Sequence, residues 1–137
     1  MAPGGSGGDS VEEVGIFRTS VTVESLAGPG IRRAFEGVMV DTGSEYNWFP
    51  AAVLHSIGVV PVRRDRFETA DGRVLERDVG FALVYAGGRS APTLVVFGDP
   101  GDMTLLGAHG LEGLNLRVDL ACKALVPAGP VPAALVA

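Results

Sequence analysis

The chain has 137 residues, 47% of them hydrophobic, and a formal net charge of −5. This length fits one domain, the apolar share is enough to build a core, and the negative charge disfavours binding to nucleic acid. Its one cysteine, Cys122, excludes an internal disulfide and a cysteine-based zinc site, and no apolar run approaches the ~18 residues of a membrane span. With no secretory signal in the first residues, we expect a soluble, cytoplasmic protein.

The 20 glycines and 9 prolines favour short strands joined by turns over a helical bundle. Residues 1–12 are rich in glycine and serine and are predicted to form a flexible tail. Residues 14–40, which include Val14 and Ile16, read as two strands around a turn at residues 27–30. The second strand ends in an apolar stretch, residues 38–40, that runs directly into Asp41.

A short helix is predicted over residues 50–57, with Pro50 at its first position and Gly58 at its end. Residues 66–85 follow as a hairpin around the Asp-Gly turn at 71–72. Within this segment the alternation of residue types predicts one apolar face on the second strand. That face carries Leu75, Val79, Phe81, Leu83 and Tyr85.

The remainder of the chain continues this β pattern. Further strands are predicted at 93–97, 103–106 and 118–126, and a short helix within 107–116. The domain is therefore expected to span residues 13–127, with 128–137 as a tail that could add an interface strand. Cys122 is expected to be a small buried residue.

The most distinctive chemistry is the sequence Asp41-Thr42-Gly43-Ser44 at the end of an apolar strand. Taken alone, this segment is explained by a turn that follows the strand, in which Asp41 caps the turn and has no other role. The helix and the Asp-Gly hairpin follow, and then Leu105-Leu106-Gly107 with residues 111–119. Together these segments resemble the retropepsin-like aspartic proteases, and small prokaryotic members in particular. The resemblance covers residues 14–127 and implies an all-β, partly closed barrel of six or seven strands with one or two short helices, one lobe per chain.

This resemblance implies a hydrolase, an aspartic endopeptidase that acts on peptides as a homodimer and needs no metal or cofactor. Two carboxyl groups must flank one water molecule, and because they repel as anions they share one proton. The ionised carboxylate accepts a proton from the water, while the protonated one assists the scissile carbonyl and the leaving nitrogen. The chain has a single Asp-Thr-Gly, so each of two copies would donate Asp41.

The resemblance also implies supporting roles. Thr42 would hydrogen-bond across the dimer axis, Gly43 would let the backbone pass close to the carboxylates, and Ser44 would donate to the carboxylate. A flap covering the substrate would comprise Ala70, Asp71, Gly72 and Arg73, and the residues packed behind the loop would be Leu105, Leu106 and Gly107.

Two departures from retroviral members support an alternative function. Ala108 and His109 stand where those members carry a charged residue that ties the dimer together, and the flap tip is polar. The alternative is a non-catalytic, retropepsin-like peptide-binding or dimerisation module, and a generic small β-barrel is a third reading. Elsewhere, His55 is expected at the helix surface, and Trp48 in the core or lining a substrate pocket.

Overall fold

The computed structural model describes residues 17–28 and 30–135, and the fold is mostly β. Both helices of this part are short, α1 (Ala51–Ser56) and α2 (Ala108–Leu114). The strands are β1 (Phe17–Ser25), β2 (Arg32–Val40), β3 (Asn47–Pro50), β4 (Pro61–Glu68), β5 (Val74–Ala86), β6 (Arg89–Gly98), β7 (Leu105–Leu106), β8 (Leu116–Asp119) and β9 (Ala124–Pro127).

Within residues 17–28 and 30–135, seven strands form one sheet in the order β1-β2-β7-β3-β6-β5-β4. Because β1 pairs with β5 as well as with β2, the sheet curls back on itself. The strands β8 and β9 form a separate antiparallel hairpin. The predicted mostly β fold with short helices is confirmed, and the sheet curls without forming a closed barrel.

Turn chemistry explains two hairpins of the large sheet. The β5–β6 connection is the two-residue turn Gly87-Gly88, with φ of +59° and +78°, the left-handed values that such tight hairpins require. The β4–β5 connection contains the predicted Asp71-Gly72 pair. Two pairings of the sheet are parallel instead, β2 with β7 and β3 with β6, so distant segments of the chain meet there.

The core lies inside the curled sheet and under both helices. Because valine and other β-branched residues pack well on a pleated surface, they supply much of it. Helix α1 contributes the fully buried Leu54, and α2 contributes Leu111 and Leu114. Fully or nearly fully buried strand residues are Val21, Val23, Val38, Phe49, Val79, Val84, Val95, Val96 and Leu106.

Two expectations about burial are wrong. Phe81 is 48% exposed, whereas Ala82 and Val84 are fully buried, so the second half of β5 turns its small residues inward. Because successive side chains of a strand point to opposite faces, Leu83 and Tyr85 then lie on the outer face of β5, where they are half-buried. Cys122 is exposed, in the turn between β8 and β9, where its thiol contacts Asp119.

The predicted strand at 103–106 is reduced to the two residues of β7. Residues 128–135 contain no strand, and the interface strand proposed for 128–137 stays a prediction. The predicted tail at 1–12, the start of the domain at 13, and Val14 and Ile16 lie outside the described residues. Within the described part, neither helix is long and apolar enough to cross a membrane.

Candidate active site

Asp41 directly follows strand β2, and its position is fixed by strand β7. The parallel pairing places Met39 beside Leu105 and Val40 beside Leu106. The backbone N–H of Asp41 then donates to the carbonyl oxygen of Leu106 over 2.9 Å. The two motifs that the sequence singled out, Asp-Thr-Gly-Ser and Leu-Leu-Gly, are therefore brought into contact.

The Asp41 side chain also shapes its own loop. Its Oδ1 accepts a hydrogen bond from the N–H of Gly43 over 2.9 Å, and the N–H of Ser44 donates to the Asp41 carbonyl oxygen over 3.1 Å. A Cβ atom on Gly43 would lie 3.2 Å from Oδ1. The loop is a tight turn around the carboxylate, and it leaves little room for any residue larger than glycine at position 43.

Ser44 differs from its predicted role. Its hydroxyl donates to the carbonyl oxygen of Tyr46 over 3.0 Å, and not to the Asp41 carboxylate. A hydroxyl has one donor, so this bond to a neighbouring carbonyl takes the place of the predicted one. Thr42 is exposed on the other side of the loop, where it borders a separate cavity of about 440 Å³.

The segment after β7 is bonded to the residues that follow Asp41. The N–H groups of Ala108 and His109 donate to the carbonyl oxygens of Ser44 and Glu45, over 2.8 and 2.9 Å. A Cβ atom on Gly107 would lie 2.7 Å from the Ser44 oxygen, so the two backbones approach as closely as glycine allows. Leu105 and Leu106 are buried behind the loop.

Asn47 is a polar residue whose importance the sequence interpretation missed. It is fully buried, and its Oδ1 accepts the N–H of Gly107 over 2.9 Å. Its Nδ2 donates to the carbonyl oxygen of Leu94 over 2.9 Å and to the hydroxyl of Thr93 over 3.2 Å. The one available signal was an asparagine between aromatic residues in a strand, where this residue type is disfavoured.

A groove of about 680 Å³ opens beside Asp41. Its aromatic wall is formed by Tyr46, Trp48 and Phe67: the Phe67 ring lies 5.8 Å from that of Tyr46 and 5.0 Å from that of Trp48, both edge-on. Trp48, which was expected in the core or lining a pocket, lies in the wall of this groove. Acidic groups at the groove are Asp41, Glu45, Asp65 and Glu68.

Residues of β4 and of the turn after it line one side of this groove. Ala70 lines the groove, but Asp71, Gly72 and Arg73 form an exposed tip beyond it. The N–H of Thr69 donates to the Arg73 carbonyl oxygen over 2.8 Å, and Gly72 has a φ of +88°. The hydroxyl of Thr69 and the guanidinium of Arg73 hold the pKa of Asp71 below its usual range.

The two histidines occupy unrelated places. His55 is exposed on α1 and packs on the Phe97 ring at 4.9 Å. His109 lies 5.3 Å from the Tyr46 ring, and its Nε2 is 3.7 Å from Glu45. In the described part of the chain, no three His, Cys, Asp or Glu side chains cluster as metal ligands would.

The chain is similar to solved structures, but not to any family model or curated protein. No protein-family model matches the chain. No curated protein matches it either. Among solved structures, the solution structure of Simian Foamy Virus (mac) protease is similar, with a TM-score of 0.48 and 19% identity over 69% of this chain and 91% of that chain. The similarity is one of chain fold and extends no further.

Proposed function

We propose that this chain is one half of an aspartic endopeptidase, which hydrolyses peptide bonds as a homodimer with Asp41 donated by both copies. One observation carries the proposal: the loop that bears Asp41 is locked onto β7 and borders a large groove with an aromatic wall. The domain responsible would span residues 13–127, between tails at 1–12 and 128–137.

The chemistry needs two carboxyl groups and one water. Two carboxyls held close together retain one proton between them, because both cannot be anionic at such a distance. The anionic Asp41 accepts a proton from the water while the water oxygen attacks the carbonyl carbon of the peptide bond. The protonated Asp41 of the other copy donates a hydrogen bond to the carbonyl oxygen. A proton then passes to the nitrogen, and the carbon–nitrogen bond breaks.

A second copy is required because the chain contains one Asp-Thr-Gly. The face that would receive this copy carries the exposed Thr42 and the adjacent cavity of about 440 Å³. That cavity is mainly apolar, with Phe17, Val40, Leu111, Leu116, Val118 and Leu120 in its lining. Two-fold pairing of this face would bring both copies of Thr42 and Asp41 to one axis.

The groove beside Asp41 would hold the substrate as an extended segment. The walls offer the faces and edges of Tyr46, Trp48 and Phe67 to an apolar side chain. The hairpin tip at 70–73 would close over the substrate as a flap and limit access of water.

The decisive experiment compares the wild-type chain with Asp41→Asn on an unfolded peptide mixture at mildly acidic pH, with products identified by mass spectrometry. Glu68→Gln is the matched control, since it removes a carboxylate from the same groove. We expect cleavage by wild type and by Glu68→Gln, no cleavage by Asp41→Asn, and unchanged folding of all three.

Specific activity should also fall on dilution, as the dimer dissociates. Activity that persists in Asp41→Asn would refute the proposal, and so would a rate that keeps rising through alkaline pH.

A second candidate is a non-catalytic module that binds peptides or dimerises. It is favoured by the Ser44 hydroxyl, which donates to Tyr46 instead of orienting Asp41, and by the charged hairpin tip. A wild-type chain that sediments as a monomer at micromolar concentration and cleaves no peptide in the same mixture would select this candidate.

A further inference from the structure

Asn47 is a buried polar side chain whose hydrogen bonds link three segments. Its carboxamide accepts from Gly107 and donates to Leu94 and Thr93, at 2.9, 2.9 and 3.2 Å. A buried polar group left without a partner is costly, so the bonded arrangement is strongly favoured over any in which Gly107 moves away. The carboxamide therefore fixes Gly107 relative to strand β6.

Gly107 in turn belongs to the segment that holds the Asp41 loop. Next to it, the Leu106 carbonyl oxygen accepts the N–H of Asp41, and the N–H of Ala108 donates to Ser44. Both ends of the Asp41–Ser44 loop are thus bonded to the residues that flank Gly107. A displacement of Gly107 would pass directly to the loop.

Close packing leaves this junction little freedom. A Cβ atom on Gly110 would overlap Asn47 Oδ1 and would lie 2.6 Å from Leu106 Cδ1. A Cβ atom on Gly107 would overlap the Tyr46 carbonyl oxygen. Real Cβ contacts are not this short, so neither glycine can carry a side chain here. The carboxamide of Asn47 is therefore tightly packed against both glycines.

We propose that Asn47 is a positioning residue, whose carboxamide holds Asp41 in its reactive place through Gly107. The expected effect on catalysis rests on the proposed function. The expected effect of Asn47 on the position of the Asp41 loop does not. Asn47 itself does not line the groove. Its removal should lower kcat with little effect on KM, because displacing a reacting group by about 1 Å can cost roughly 100-fold in rate.

The test compares Asn47→Leu with Val95→Ala. Leucine is of similar size but offers no acceptor to Gly107. Val95 is the fully buried register partner of Asn47 on β6, so Val95→Ala creates a cavity in the same layer and spares the carboxamide. For each variant we would measure thermal unfolding, kcat and KM on a peptide cleaved by wild type, and amide hydrogen exchange at Asp41, Gly107, Ala108 and His109.

We expect Asn47→Leu to lower kcat about 100-fold and to speed exchange at these four amides at least about 10-fold. Val95→Ala should lower the free energy of unfolding. The four amides should then exchange only through global unfolding, without additional local opening of the loop. Equal protection of the four amides in both variants, or an equal loss of kcat, would overturn the inference. If wild type cleaves no peptide, the proposed function fails, and the exchange comparison still decides whether Asn47 holds the loop.

Asn47→Asp provides a second variant if Asn47→Leu does not fold. In its neutral form the new carboxyl group can accept from Gly107 and donate to Leu94. The ionised form has no donor, and repulsion between its second oxygen and the Leu94 carbonyl oxygen would push the side chain away from Gly107. Burial favours the neutral form of a carboxyl. Protection of the Gly107 amide should match wild type at acidic pH and fall below it at alkaline pH. If the protection of the Gly107 amide in Asn47→Asp, relative to wild type, is the same at acidic and at alkaline pH, the inference is contradicted.

Discussion

The backbone N–H of Asp41 lies 2.9 Å from the carbonyl oxygen of Leu106, although the two residues are far apart in the chain. This hydrogen bond continues the parallel pairing of β2 and β7 by one residue beyond the strand. The shape of the loop that bears Asp41 is thus set by a segment from the other end of the domain. Changes near β7 and α2 are therefore expected to affect the loop.

The first prediction concerns two glycines of helix α2. Gly110→Ala should lower the free energy of unfolding by about 1–3 kcal/mol, because its Cβ atom would overlap Asn47 and Leu106. In Gly113→Ala the new atom would lie 3.4 Å from Ala91 Cβ, a tolerable contact, and the higher helix propensity of alanine should add up to about 1 kcal/mol. Denaturant unfolding of both variants checks this, and equal effects would contradict the packing described.

The second prediction concerns acid stability and Glu24. This carboxylate is 5% exposed, accepts from the Tyr85 hydroxyl and the Gly30 N–H over 2.6 Å each, and pairs with Arg32 at 3.0 Å. These contacts, the Tyr85 hydrogen bond foremost, lower the pKa of Glu24 below its ordinary value of 4.5. The unfolded chain therefore binds the proton first as the pH falls.

The stability that Glu24 contributes should be complete above pH 4.5 and should be lost as the pH falls through its folded pKa. Glu24→Gln should therefore be less stable than wild type at neutral pH, and the difference should shrink on acidification. Thermal unfolding between pH 3 and 7 measures it. The control is Glu36→Gln, on the neighbouring strand and exposed, for which a small effect at every pH is expected. A Glu24→Gln difference independent of pH would contradict the assignment.

The third prediction concerns the ion pair between Arg77 and Asp102. The guanidinium donates to both carboxylate oxygens, over 2.8 and 3.2 Å, and the two side chains are 13% and 18% exposed. The Arg77 hydrogen bond lowers the pKa of Asp102 below 3.8. Asp102→Asn should lower the free energy of unfolding by about 2 kcal/mol near neutral pH, and less at pH values below 3.8.

Asp99 offers the matched control for this pair. It meets the same guanidinium at 3.4 Å, but its side chain is 62% exposed. Asp99→Asn should therefore cost less than about 1 kcal/mol, because water and salt screen exposed pairs. Denaturant titration of the two variants separates the cases, and a larger loss for Asp99→Asn would contradict the burial argument.

The fourth prediction concerns the aromatic wall of the groove. Trp48→Ala should lower kcat/KM about 10-fold for peptides with a large apolar side chain, mainly through KM, because it removes an aromatic surface worth about 0.5–1.5 kcal/mol. Trp48→Phe keeps a ring against Phe67 and should retain most of the activity. Steady-state kinetics on one peptide tests both, and a fall in kcat without a change in KM would exclude this role.

The sequence predicts the hairpins and both helices well because their signals are local. Asp71-Gly72 and Gly87-Gly88 mark turns wherever they occur between strands. The prediction of which face of β5 is buried is wrong beyond Gly80. It places the large apolar residues Phe81, Leu83 and Tyr85 on the buried face. Which face of β5 turns inward depends on its pairing with β1 and β6, and that pairing with β1 is a long-range property of the sheet.

The candidate site was only partly predictable for a similar reason. The Asp-Thr-Gly-Ser and Leu-Leu-Gly segments were recognisable, but no local pattern shows that Asn47 reaches Gly107. That contact depends on β7 entering the sheet between β2 and β3, a long-range pairing. The exposure of Cys122 likewise follows from its place in the turn between β8 and β9.

The late position of β7 in the chain also has a consequence for biosynthesis. A nascent chain can form the β1–β2 and β4–β5 hairpins from neighbouring residues, but the loop at Asp41 lacks its hydrogen-bond acceptor until Leu106 has left the ribosome. The loop that bears Asp41 should therefore be among the last parts of the fold to assemble. An unfinished polypeptide that ends before Leu106 would carry Asp41 without the hydrogen bond that holds its loop.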